Sequence, residues 1–231
     1  MSNIIGIIGA MDIEVNGLIA DMQDVTTEEC SGMKFICGEL FGKKIVVCKS
    51  GIGKVFAGIC AQTMILKYNP SIIINSGVAG ALNEELSVLD AVIATDVVQH
   101  DIDTSPLGDP VGLVSGINIV KIQADRAASD VIESSAKALG VKAFKGTVAS
   151  GDQFIVNPEK KAQIANNFGA YACEMEGAAI GQVCYVNNVP FAIIRTISDG
   201  KGEVMDYFTF SSLAANQAIK IIKNFINEYQ V

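Results

Sequence analysis

The stretch from Val189 to Gly200, VPFAIIRTISDG, constrains this chain most, because an apolar run there turns polar within a few residues. From Pro190 to Thr196 every residue but Arg195 is suited to burial. Such a run fits a strand covered on both faces, as the strands of α/β sheets are. Asp199 then sits where that strand ends. Ligands of open α/β sheets bind beyond the carboxyl ends of the strands, so a carboxylate at this point is placed to meet a substrate. Ser198-Asp199-Gly200 also reads as an ordinary turn. Arg195 weighs against that reading, since a guanidinium inside an apolar strand must find an acceptor or stay wet.

The same alternation recurs along the chain. Ile4 to Ala10, Lys43 to Lys49, Ser71 to Asn75, Ala91 to Gln99 and Val141 to Ala149 read as further strands, most of them running into small or polar residues. Phe35 to Leu40 pairs with Lys43 to Lys49 as a hairpin turning at Phe41-Gly42. Helices are expected over Val55 to Lys67, over Asp125 to Leu139 with Gly140 closing it, within ACEMEGAAIGQVCYVNN after Tyr171, and over Ser211 to Tyr229. In the last, Ala214, Ala218, Ile221, Phe225 and Tyr229 recur at helical spacing and are assigned to packing. These elements predict one α/β domain over residues 1–231, large enough to bury roughly 70–75% of its unfolded surface.

Charge and cysteine usage narrow the function. The net charge is −8 and the chain has only two arginines, Arg126 and Arg195, with no lysine cluster to neutralise phosphates, which argues against nucleic acid as a partner. The six cysteines, Cys30, Cys37, Cys48, Cys60, Cys173 and Cys184, are scattered through apolar segments without a CxxC pair, and read as reduced core residues. MSNIIGIIGAMDIEV lacks the basic start of a secretory signal. No apolar run approaches the ~20 residues of a membrane span. A cytoplasmic protein is expected.

Several loops carry possible chemistry. GIIGAMDIE lacks the G-x-G-x-x-G spacing of a dinucleotide fold, and its Glu14 is either a first-turn acid facing the helix dipole or a catalytic group. Ser50-Gly51-Ile52-Gly53-Lys54 is too short for a Walker loop; it suits an anion at a helix N-terminus or a neutral ligand against the backbone, with Ile52 as an apolar wall. Ser76-Gly77-Val78-Ala79-Gly80-Ala81 allows close approach, of a ligand or of a packed helix. His100-Asp101-Ile102-Asp103 invites a metal, but His100 is the only histidine and no metal site is assigned. The Pro- and Gly-rich loop from Asp101 to Gly112 can instead reach a neighbouring subunit. Phe154, after Ser150-Gly151-Asp152-Gln153, is either core or a platform for a flat ligand. Glu174 and Glu176 are one residue apart, so at most one of them touches a given ligand atom.

GIIGAMDIEV, SGIGKV, INSGVAGAL, SGDQFI, CEMEGAA and RTISD stand in the order and approximate spacing of the 5′-methylthioadenosine/S-adenosylhomocysteine nucleosidases, which this chain resembles from Ile5 to Asp199. That resemblance implies a nucleoside phosphorylase-like three-layer α/β fold whose central mixed, twisted sheet curls into a partial barrel flanked by helices. It further implies a homodimer, with loop 101–112 contributing to the partner's pocket, and hydrolysis of the adenine N-glycosidic bond of 5′-thio-substituted adenosines with no metal or cofactor. The same likeness extends to 5′-deoxyadenosine and, through VVQHDIDTSPLGDP, to 6-amino-6-deoxyfutalosine. Position by position, Asp199 matches the acid that protonates adenine N7 and Glu14 the base that deprotonates water, with Arg195 the cation near both water and Glu14. Glu176 and the Met175 backbone match the grip on the ribose hydroxyls. Phe154 matches the ring stacked on adenine and Ile155 the backbone reader of its edge; Met11, Ile52 and Tyr207 match the wall around the 5′ group. Val78, Gln153, Glu174 and Ser198 are placed beside the substrate. Two departures mark this chain: Val78 replaces a serine common in the family, and GKGEVMDY follows where the family often continues Ala-Asp.

Two rival activities remain. A phosphorylase of the same fold needs cations for phosphate after the first strand and near the glycine-rich turns, and neither arginine lies there. A non-catalytic nucleoside-binding protein predicts no release of adenine, although all three carboxylates are present.

Overall fold

The computed structural model describes residues 3–199 and 204–230. The chain opens with β1 (Ile4–Gly9), α1 (Asp12–Ile19), β2 (Gln23–Cys30), β3 (Met33–Leu40), β4 (Lys43–Lys49) and α2 (Lys54–Tyr68). It continues through β5 (Ile72–Ala81), β6 (Ala91–Gln99), a short 3-10 turn at Ser105–Leu107, β7 (Ile122–Gln123) and α3 (Arg126–Ala138). β8 (Ala143–Ser150), α4 (Pro158–Phe168), β9 (Ala170–Glu174), α5 (Gly177–Val186), β10 (Phe191–Asp199) and α6 (Val204–Glu228) complete it.

The strands join in the order β10-β6-β8-β9-β5-β1-β4-β3-β2, and β10 also pairs with β5. That second pairing closes β5, β10, β6, β8 and β9 into a ring of five strands, from which β1, β4, β3 and β2 extend as an open sheet. The pairing is mixed: β1 runs parallel to β4 and β5, while β6 meets β10, and β5 meets β9, antiparallel. The expected partial barrel is therefore a closed one with a sheet attached.

Side-chain alternation along the strands builds two cores. Ile5 and Ile7 of β1, Ile45 and Val47 of β4, and Ala192 and Ile194 of β10 pack against α1, α3 and α6. The opposite faces, with Val46, Cys48, Ile73, Phe191 and Ile193, pack against α2 and α5. Burial on both faces explains why these strands read as continuous apolar runs. The expected packing helix at the C-terminus starts earlier, at Val204, and its Ala214, Ala218, Ile221 and Phe225 are all buried.

Four local expectations need correction. Ser76 to Ala81 is not a loop: β5 runs through it, because small residues let functional side chains lie against that strand. Residues 170–174 form β9 ahead of the helix, so Glu174 ends a strand and Glu176 caps α5. β2, QDVTTEEC, is an exposed edge strand without apolar alternation, and α4 follows the SGDQFI loop. The hairpin turn is as expected, with Phe41 and Gly42 both at positive φ, 53° and 72°. Of the GKGEVMDY departure, residues 200–203 lie outside the described residues.

Candidate active site

A cleft of about 630 Å³, counting its open mouth, lies where β1, β5, β9 and β10 end. Met11, Glu14, Ile52, Val78, Gln153, Phe154, Ile155, Glu174, Met175, Glu176, Ser198, Asp199 and Tyr207 all line it. Arg195 lies beneath them, 2% exposed. Residues from four strand ends and two helices thus converge on one place, although Met11 and Tyr207 stand 196 positions apart and their side chains touch, Tyr207 Oη lying 3.5 Å from Met11 Sδ.

Glu14 is the third residue of α1, and its carboxylate turns back over the helix start. Oε2 accepts from the N–H groups of Ala10 (2.7 Å) and Met11 (2.9 Å), and Oε1 accepts from Val78 N–H (3.0 Å). It therefore caps its helix and faces the cleft at once. Burial raises its pKa, with Arg195 and the three backbone donors opposing that rise. The departure at Val78 leaves this contact intact, because the backbone and not the side chain makes it.

Arg195 lies on β10 with its guanidinium held by Glu174. Nε and Nη2 both donate to Glu174 Oε2, Nη2 also donates to Asn75 Oδ1 (2.5 Å), and Glu176 Oε2 stands 3.9 Å from Nη2. Glu174 is further engaged by Ser150 Oγ and by the N–H groups of Glu176 (3.1 Å) and Gly177 (2.8 Å) at the start of α5. A carboxylate with that many donors is occupied, so Glu174 lines the floor as the anchor of Arg195, and Glu176 is the carboxylate with capacity left for a ligand. Glu176 Oε1 accepts from Gly53 N–H (2.8 Å) in the glycine-rich turn. Burial, with Glu174 beside it, pushes the Glu176 carboxyl up to about 7 against the pull of Arg195.

Asp199 is the last residue of β10. Ile197 pairs with Ala79 and Asp199 with Gly80, so Ser198 is the extra residue of a bulge, a device that re-aims side chains beside active sites. Asp199 Oδ2 accepts from Lys161 Nζ of α4 at 2.9 Å, a contact no sequence motif announced. The one available signal was position: Lys161, Ile164 and Phe168 share the buried stripe of α4, where a lysine is out of place. Ala10, Ala79, Gly80 and Cys173 also line the cleft, as small residues that make room.

At the mouth the chemistry is apolar. Phe154 is 51% exposed and meets the Tyr207 ring edge-on, centroids 5.2 Å apart, while Ile52 is 55% exposed. His100 is buried outside the cleft, against Gly151, and the His100–Asp103 loop is tied down by Lys54, whose Nζ donates to Asp101 (2.6 Å). Among the described residues no cluster of three or more histidine, cysteine or acidic side chains is arranged to hold a metal ion.

A ligand cleft at the strand ends of a closed five-strand ring with an attached sheet, floored by carboxylates, places the chain in a class: the family model of the phosphorylase superfamily matches residues 4–227. A 5′-methylthioadenosine/S-adenosylhomocysteine nucleosidase of Shewanella loihica is 43% identical over 197 residues, covering 84% of this chain and 85% of the relative. The same enzyme of Neisseria meningitidis, solved with methylthio-immucillin-A, superposes with a TM-score of 0.94 at 31% identity, covering 98% of this chain and all of that one. Futalosine hydrolase of Helicobacter pylori superposes equally well, TM-score 0.94 at 32% identity over 99% of each chain. The chain belongs to the 5′-methylthioadenosine/S-adenosylhomocysteine nucleosidase family, a family of N-glycosyl hydrolases.

Proposed function

We propose that this protein hydrolyses the N-glycosidic bond of 5′-methylthioadenosine and S-adenosylhomocysteine, releasing adenine and the 5′-substituted ribose. The observation that supports the reading is one cleft that gathers Glu14, Glu176 and Asp199 on its floor beneath an apolar mouth of Ile52, Phe154 and Tyr207. Breaking the bond develops positive charge on the ribose and negative charge on the base, as in glycosidases. Glu14 takes the proton of the attacking water, Arg195 lies close enough to steady that water, Glu176 and the Met175 backbone hold the ribose hydroxyls, and Asp199 gives its proton to adenine N7. Phe154 stacks on the base, the Ile155 backbone reads its edge, and Met11, Ile52 and Tyr207 wall the 5′ substituent.

Water, not phosphate, fits this floor. The backbone donors that could cradle an anion are already taken by the chain's own carboxylates: Val78 N–H by Glu14, Gly53 N–H by Glu176 and Lys54 N–H by Asp152. Arg195 and Lys54 are engaged by acids in the same way, and Arg126 is exposed on α3. A phosphate dianion would meet Glu14 and Glu176 without a spare cation among the described residues.

The likeness to futalosine hydrolase supports 6-amino-6-deoxyfutalosine as a further substrate, and the half-exposed mouth supports 5′-deoxyadenosine. The active unit is a homodimer in which the 101–112 loop closes the partner's 5′ pocket. Support comes from exposed Val55, Phe56 and Ile59 on α2 and from Leu107, 83% exposed on that loop. All six cysteines are free, which fits the reducing cytoplasm. Incubating the protein with each nucleoside, with and without phosphate, tests the reading. Adenine and the free sugar should form at rates that phosphate leaves unchanged; a ribose 1-phosphate product would refute hydrolysis, and no adenine from any of them would refute catalysis. Sedimentation with assay at matched dilutions tests the dimer, which a fully active monomer would exclude.

A further inference from the structure

Lys161, the partner of Asp199, has no part in the chemistry described so far. It reaches that carboxylate from the buried stripe of α4, with its side chain 9% exposed and that of Asp199 4% exposed. Packing gives no reason for a charge there, because a buried ion pair often adds no more stability than apolar side chains of the same volume. Nζ stands 2.9 Å from Oδ2, while among the described residues Oδ1 has only Ser198 Oγ at 3.4 Å. Among the described residues, Cys173 of β9 and Tyr207 of α6 are the other titratable side chains facing Asp199 from the surrounding elements, and Glu14 and Glu176 share the cleft. α4 also follows directly on the Gln153–Ile155 segment that lines the cleft, starting at the Asn157 cap.

We propose that Lys161 is a positioning residue for departure of the base: its ammonium fixes Asp199 through Oδ2, leaves Oδ1 to carry the proton, and compensates the negative charge that Asp199 acquires. This rests on the reading of Asp199 as the acid. In the step, the Asp199 O–H bond breaks and an N–H bond forms on the base. The electron pair of the glycosidic C–N bond leaves with the base, and Asp199 is left as a carboxylate paired with Lys161, whose own protons stay in place. A fixed cation beside a charge that grows in the transition state speeds the chemical step more than it tightens binding. Because the base-facing loop and the acid's holder are one continuous segment, seating the base and placing the acid are coupled.

The test compares Lys161→Met, Asp199→Asn and the double variant on 5′-methylthioadenosine and on a 4-nitrophenyl riboside with the same 5′ group, whose leaving group needs no proton. Lys161→Met should lose roughly 10- to 100-fold on the adenine nucleoside, chiefly in kcat, and less than about 3-fold on the nitrophenyl riboside. The double variant should be no slower than Asp199→Asn alone, and Lys161→Arg should recover part of the loss. Equal losses of Lys161→Met on both substrates, or a further loss in the double variant, would overturn the role of Lys161 while leaving Asp199 as the acid. Equal losses of Asp199→Asn on both substrates would instead remove the acid reading itself. Should Lys161→Met fail to fold, Lys161→Arg and the double variant, which leaves no unpaired buried charge, carry the same comparison.

Discussion

On the floor of the cleft, Glu14 has both oxygens bound by backbone N–H groups, and Glu174 is bound by Arg195, Ser150 and the start of α5. At the mouth, Phe154 and Ile52 are half exposed, and Tyr207 meets the Phe154 ring edge-on and the Met11 thioether. The floor is oriented before any ligand arrives, so it spends no reorganisation when charge develops. The mouth can adapt, which under the proposed function suits 5′ groups as different as methylthio and homocysteinyl. One cleft therefore combines a fixed chemical site with a permissive side pocket.

The largest effect should come from breaking the floor at Arg195. Arg195→Met leaves Glu174 buried without its partner and should cost about 3–5 kcal/mol in urea unfolding, together with most activity. Gly77→Ala should separate geometry from chemistry, since it removes no functional group. A Cβ there would lie 2.5 Å from Glu14 Oε1 and 2.6 Å from Arg195 Nη1, so both must shift, and kcat/KM should fall by roughly 10²-fold. Gly80→Ala meets Asp199 only at 3.1 Å and should lose less; an equal or larger loss would mean the floor is softer than described.

Glu176→Gln probes the floor's electrostatic cost. Its folded pKa of about 7 lies above the ordinary carboxyl value of 4.5, so its contribution is fully favourable below about pH 4.5 and is lost as pH rises through 7. Removing the charge should therefore stabilise the free protein at pH 8, by on the order of 1–3 kcal/mol, and the gain should shrink toward pH 5. A gain that grows on acidification would contradict the assignment. The smallest effect belongs to the mouth: Phe154→Ala should raise KM by about 3- to 10-fold, with stability and kcat little changed. A collapse in kcat would show that the mouth, too, is part of the chemistry.

Much of this division was legible in the sequence. The apolar run ending at Asp199 located β10 and its terminal carboxylate, because a strand buried on both faces leaves an unbroken pattern. Most of the cleft's members were readable through the motifs around Met11, Ile52, Phe154 and Glu176, whereas Tyr207 lies in the segment that departs from the family pattern. What was not legible has physical causes. Ser76 to Ala81 looks like a loop because its smallness serves the carboxylates lying on it, not its own packing. β2 has no buried face to imprint a pattern, and β9 is too short to show one ahead of α5. The resemblance matched Glu176 to the ribose hydroxyls but left Glu174 only beside the substrate, and the donors around Glu174 are what make it the anchor of Arg195. Lys161 acts from 38 residues away across a helix, a pairing no local motif encodes.

The central claim is that the floor serves the water and the end of β10 serves the base, and a two-by-two comparison of kcat/KM tests it directly. Asp199→Asn should lose roughly 10²-fold or more on 5′-methylthioadenosine and far less on the 4-nitrophenyl riboside, whose leaving group departs unprotonated. Glu14→Gln should lose similar factors on both, because water must be deprotonated whichever group leaves. Equal losses for Asp199→Asn on the two substrates, or a Glu14→Gln loss confined to the adenine nucleoside, would contradict that division.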